Sequence, residues 1–186
     1  MIKHFKISAG LALVLMIALL QGFARTALAA DAADIDADVY AALQSLYKEV
    51  PGTQSMAEQA KGVLVFPNIV KAGFIVGAQY GQGAMVQNGA ITGYYSIKAG
   101  SYGIQAGVSG FGYAMFLMTD AALAHLGKMN GWEIGVGPSI VVIDEGVAKT
   151  LTTRTLKEDV FAVVFGQKGL MAGAGLQGSK IVRLNK

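Results

Sequence analysis

From Asp31 to Val50 the apolar residues Ile35, Val39, Leu43, Leu46, Tyr47 and Val50 recur at intervals of three and four, with polar residues between them. That period predicts an amphipathic helix with one buried stripe. Pro51-Gly52 ends it, and the capping-box spacing of Ser55 and Glu58 predicts a second short helix closed by Gly62. At Val63 the texture changes. "VLVFP", "AGFIVGAQYGQGAMV" and "AITGYYSIKAGSYGIQAGVSGFGYAMFLM" are rich in β-branched and aromatic residues, with glycine every three or four positions. These read as strands, and glycine inside strands marks bulges, strong coiling or close approach of another backbone. Gln87-Asn88-Gly89 predicts a hairpin turn, because Asn-Gly tolerates the positive φ such turns require. "TDAALAHLGK" interrupts the strands with a short helix, Thr119 at its N-cap and Gly127 just past its last turn. Strands resume through "WEIGVGPSIVVID", "TLTTRT", "DVFAVVFG", "GLMAGAGLQG" and "KIVRLN". The expected fold is α+β: N-terminal helices, then a large, curved, mostly antiparallel β-sheet or barrel-like sandwich with one short inserted helix.

Charge changes this picture once the first residues are set apart. Lys3, His4 and Lys6 precede an uncharged run from Ile7 to Leu20, and Ala27-Leu28-Ala29 supplies small residues before a cut. Residues 1–29 therefore read as a cleaved secretory signal peptide, the apolar run falling short of the ~20 residues of a spanning helix. The expectation is an exported protein, periplasmic or secreted and possibly envelope-associated, with residues 30–186 as a single domain. Removing Lys3, Lys6 and Arg25 leaves 12 basic against 12 acidic residues. A neutral domain has no long-range field for nucleic acid, so none is expected as a partner. The chain has no cysteine, which excludes a disulfide framework, a thiolate nucleophile and a Cys-ligated metal.

Candidate chemistry is sparse. Gly173-Ala-Gly175-Leu-Gln-Gly178 matches the G-x-G-x-x-G spacing, but a dinucleotide turn needs a helix after it and an acid about 20 residues on. The segment after Gly178 is the strand-like "KIVRLN", so no nucleotide is expected. His125 is the single histidine after the leader and sits near the end of the short helix, a structural position. Asp144-Glu145 and Glu158-Asp159 read as loop acids. Ser96, Ser101, Ser109 and Ser139 are available, but none lies in G-x-S-x-G; Gly107-Val108-Ser109-Gly110 comes closest. No catalytic residue, cofactor or metal is expected, and a hydrolase is the minority reading.

Apolar material is abundant, at 53% of the chain. "AGFIVGA" and "YAMFLM" are either exposed interaction surface or strands of a sheet covered on both faces. The segments "KGVLVFPNIVKAGFIVGAQYGQG", "GWEIGVGPSIVVID" and "DVFAVVFGQKGLMAGAGLQGSKI" resemble, in content and order, the SYLF domain, over about Asp34 to Asn185. The resemblance implies a lipid-binding SYLF domain related to fungal actin-binding cortical proteins, here as an exported bacterial-type single-domain member. It implies phospholipid or a membrane surface as the partner, with no protein partner identified. Eukaryotic members use a basic amphipathic N-terminal helix. The corresponding segment here carries Asp31, Asp34, Asp36 and Asp38 with only Lys48, which does not match that mechanism. Lys61, Lys71, Lys168, Lys180 and Arg183, near the ends of predicted strands, are the candidate lipid-binding residues. The alternatives are a small outer-membrane β-barrel or a structural envelope protein.

Overall fold

A computed structural model of the chain describes residues 32–73, 76–102, 107–128, 131–143, 158–169 and 178–186. The predicted leader, the strand predicted at "TLTTRT", Asp144-Glu145, Gly173 and Gly175 lie outside the described residues. Helix α1 (Ala32–Glu49) forms where the apolar spacing predicts it and buries Ile35, Val39, Leu43 and Leu46. Helix α2 (Thr53–Gln59) begins two residues before the expected Ser55 cap. The buried Thr53 hydroxyl donates to Val50 O at 2.7 Å, and Gly52 takes a left-handed φ of 95°, so the chain has already turned. Ser55 is thus inside the helix, where its Oγ accepts from Gln59 Nε2. The helix closes on Ala60 instead of Gly62.

The strands are β1 (Gly62–Gly73), β2 (Val76–Gln87), β3 (Ala90–Tyr102), β4 (Gly107–Leu117), β5 (Trp132–Glu133), β6 (Ile140–Ile143), β7 (Val160–Gly169) and β8 (Lys180–Leu184). Among the described residues they form one eight-stranded sheet in the order β5-β8-β3-β2-β1-β4-β7-β6, curled into a half-barrel. Every neighbouring pair is antiparallel except β6 and β7. The fold is α+β, with helices first and a curved, mostly antiparallel sheet after them. Asn88 and Gly89, at φ 51° and 79°, make the two-residue turn between β2 and β3. Helix α3 (Asp120–Leu126) is the inserted helix, its Thr119 Oγ1 accepting from Ala122 N at 3.2 Å.

Both sides of the sheet are covered near the helices. On one side Val63, Val65, Ala84, Ala114, Phe116, Phe161 and Val163 pack under α1 and α2. On the other, Leu64, Phe66, Met85, Met115, Leu117, Val160 and Ala162 pack with Ala122 and Leu126 of α3 and with Trp132. "YAMFLM" is therefore buried on both faces, which is why it reads as a continuous apolar run. Each fully buried side chain such as Leu64 or Phe116 contributes about 2 kcal/mol of transfer free energy.

In β1 the alternation breaks at Pro67-Asn68, where the pairings with both β2 and β4 shift. Before this bulge the odd residues Val63 and Val65 face α1; after it the odd residues Ile69 and Lys71 face the α3 side. Gly83 makes the bulge possible, since a Cβ there would overlap the Val65 carbonyl. The segment "WEIGVGPSIVVID" holds two short strands, β5 and β6. Gly135 and Gly137, at φ 104° and 103°, turn the chain between β5 and β6. The Trp132 indole holds that turn by donating to Val136 O at 3.0 Å.

Candidate functional site

The five basic residues expected to bind lipid do not share a place. Lys61 lies just before β1, at the helix-covered end, and forms an exposed ion pair with Asp120 at 3.7 Å. The ten residues from Lys61 to Lys71 carry the chain about 30 Å along β1. Lys71 is only 9% exposed and stands between its cross-strand partners Gln79 and Ser109 on the α3 side. Gln79 Nε2 donates to Ser179 Oγ at 2.8 Å, so Lys71 belongs to a buried polar layer of the sheet. Its expected place at the surface is wrong because the bulge reverses the alternation upstream of it. Arg183 is opposite Tyr95, also on the α3 side, and its charge opposes the upward pull of burial on the tyrosine pKa.

The other two fall on one row. Lys168 is the backbone partner of Gly110, and Gly110 pairs with Val70, Val70 with Tyr80, Tyr80 with Lys98, and Lys98 with Lys180. This row crosses the α1 side of the sheet past the residues packed under α1 and α2. There Val70 and Tyr80 are 44% and 45% exposed, and Val108, one rung farther, is 65% exposed. Val108 pairs with Ala72, and Ala72 with Ala78, both exposed. The result is a patch of valine, alanine and one tyrosine ring, with Lys98 and Lys180 at its β3–β8 flank. Glu133 pairs with Lys180 from the far side, on edge strand β5. Gln82 Nε2 donates to Tyr80 Oη at 2.7 Å and fixes the ring on the patch. Lys98 is a residue that sequence reasoning misses, because a lysine within "YYSIKAG" carries no signal until β8 is known to pair with β3.

Several other polar groups tie elements of the fold together. Asp159 accepts from Thr119 Oγ1 at 2.9 Å and from Ser139 N at 3.2 Å, joining the start of α3 to the segment before β6. His125 lies edge-on to Trp132 with ring centroids 5.4 Å apart, and a Cβ at Gly137 would strike its imidazole. Burial and the nearby Lys128 charge hold the His125 pKa below its ordinary value. Tyr113, on the α3 side, is fully buried with no hydrogen-bond partner for its hydroxyl among the described residues, and burial pushes its pKa up. Gly178 has φ 77°, a backbone requirement. Among the described residues no cluster of three or more His, Asp or Glu could hold a metal ion. No helix among them is long and apolar enough to cross a membrane.

Two recesses flank α1. One, of about 500 Å³, reaches from Asp38 and Glu49 to Gly110, Gly112 and Phe165. Its Glu49 carboxylate is already engaged, accepting from Ser45 Oγ at 2.7 Å and Gly166 N at 3.2 Å. The other, of about 430 Å³, lies between α1, α2 and the β2–β3 turn.

No known protein-family model matches the chain, and no curated protein matches it.

Proposed function

We propose that this chain is an exported, non-catalytic lipid-binding module that associates peripherally with a phospholipid surface, as its resemblance to the SYLF domain implies. The observation that carries the reading is the uncovered part of the α1 side of the sheet, where Val70, Tyr80 and Val108 stand exposed beside Lys98 and Lys180. Burying about 200 Å² of this patch in the interfacial region of a bilayer would yield about 5 kcal/mol before association costs. Each lysine near an anionic surface adds about 1 kcal/mol. Apolar contact therefore supplies most of the attraction, and the lysines fix which part of the patch meets the head groups. A peripheral mode is favoured over a membrane-spanning barrel because α1 and α2 cover one face of the same strands over their other half.

The test is cosedimentation of the purified protein with phosphatidylglycerol/phosphatidylethanolamine vesicles. Val108→Asp places a charge at the most exposed of the patch's large apolar side chains and is expected to abolish binding. Val136→Asp, similarly exposed but in the turn after β5, is expected to leave it intact. Undiminished binding by the Val108 variant, or no binding by the wild type to any vesicle composition, would remove the proposal.

A further inference from the structure

The recess between α1, α2 and the β2–β3 turn has a chemistry unlike that of the sheet patch. Tyr40, Leu43, Gln44 and Tyr47 project from one face of α1, at helical spacing, into a groove of about 430 Å³. That volume lies within the range of small-molecule sites, ~300–1,000 Å³. Its floor is apolar, formed by Leu43, Val63 and Val86. Two tyrosine rings line it, and Tyr40 is held in place because its hydroxyl donates to Gly89 O at 3.0 Å. The opposite wall is equally fixed: Gln87 Nε2 donates to Lys61 O, and Gln87 Oε1 accepts from Thr92 Oγ1.

Above this floor stand the carboxamides of Gln44, Gln54 and Asn88, which have no hydrogen-bond partner among the described residues. Each presents a paired donor and acceptor. Among the described residues the only charged side chain lining the groove is Glu58, which adds to the burial that raises the Tyr47 pKa. An anion finds no cation in that lining, and a purely apolar ligand would leave three carboxamides unmatched.

We infer that this groove binds a neutral saccharide, one or two pyranose rings whose C–H faces lie on Tyr40 and Tyr47 while vicinal hydroxyls pair with Gln44, Gln54 and Asn88. The groove shares no residue with the sheet patch, so the two sites stand or fall separately. A preformed, side-chain-clamped groove loses little freedom on binding. A hydroxyl-matched site also discriminates strongly against ligands that lack the hydroxyls.

Isothermal titration of the purified protein with maltotetraose, cellotetraose and chitotetraose tests the inference. At least one is expected to bind saturably below about 10 mM, and the exposed pair Gln44→Ala/Gln54→Ala is expected to weaken it about tenfold. Tyr40→Ala should weaken it comparably, and Tyr40→Phe, which keeps the ring, by about twofold. Unchanged melting temperatures for the glutamine variants exclude unfolding as the cause. The inference is overturned if none of the three binds, if binding is the same in the glutamine and Tyr40→Ala variants, or if tetraalanine binds the groove more tightly than every sugar.

Discussion

Lys98 on β3 and Lys180 on β8 are direct cross-strand partners, and both stand on the same solvent-exposed side of the sheet. Like charges placed opposite one another destabilise a sheet by a few tenths of a kcal/mol to about 1 kcal/mol. Glu133 flanks only Lys180, so among the described residues Lys98 adds repulsion without an ion pair of its own. An anionic head group lying between the two ammonium groups would convert that repulsion into attraction.

Lys98→Glu is accordingly expected to move stability and binding in opposite directions. The variant forms an attractive cross-strand pair, so unfolding in urea should shift to higher denaturant, by up to about 1 kcal/mol. Affinity for anionic vesicles should fall about thirtyfold, from the loss of one attraction and the gain of one repulsion of about 1 kcal/mol each. Arg183→Ala, on the other side of the sheet, should leave vesicle binding unchanged. Raising salt from about 0.05 to 0.5 M should weaken wild-type binding only modestly, since the apolar contact is unaffected by the shorter Debye length.

Close backbone packing predicts a sharp contrast between two glycines. Gly83→Ala would drive a methyl into the Val65 carbonyl and the Phe66 Cα, a backbone clash that no rotamer relieves. A loss of about 3 kcal/mol is expected in chemical denaturation. Gly100→Ala meets nothing within 4 Å and should be neutral or stabilising by about 0.5 kcal/mol.

The legibility of the chain divides along the same line. Local chemistry is readable: the stripe from Ile35 to Val50 in α1, the Asn88-Gly89 turn, and the Thr119 cap of α3 each depend on residues within a few positions of one another. Consequences of strand order are not. Pro67 marks an irregularity four residues before Lys71, but only the pairing of β1 with both β2 and β4 shows that it is a bulge that puts that lysine in the buried layer. Nothing near Lys98 reports that β8, over 80 residues later, will lie beside it. The groove on α1 is hidden for a similar reason, since Gln44, Gln54 and Asn88 look like ordinary surface amides until three elements bring them together.

Tyr113→Phe should stabilise the protein. The hydroxyl is buried without a partner among the described residues, so its removal leaves the apolar packing in place and relieves a desolvation penalty of about 1 kcal/mol. A melting temperature below that of the wild type would mean that the oxygen has a role the packing does not reveal.

Acidification should weaken the α3 region first. The folded-state pKa of His125 is held below its ordinary value of 6.5, so the unfolded chain takes up the proton more readily than the folded one. The stabilising contribution is complete above pH 6.5 and is lost as pH falls through the lower folded-state value. Thermal unfolding followed by Trp132 fluorescence should show a falling midpoint in this interval, and His125→Gln should flatten it.

The bulge in β1 has a consequence for how this surface can change. Because Pro67-Asn68 adds one residue, the identity of the exposed patch is a matter of phase: if both residues stayed and the bulge were laid flat into a regular ladder, the downstream strand would shift by one position and exchange its two sides. Val70 would turn inward and Lys71 outward, and a mainly apolar docking surface would become a cationic one without any substitution. The extra residue and the bulge that absorbs it compensate one another: losing Pro67 or Asn68 would straighten the strand and leave its sides in place, whereas a register slip that kept both would offer a different partner a different surface.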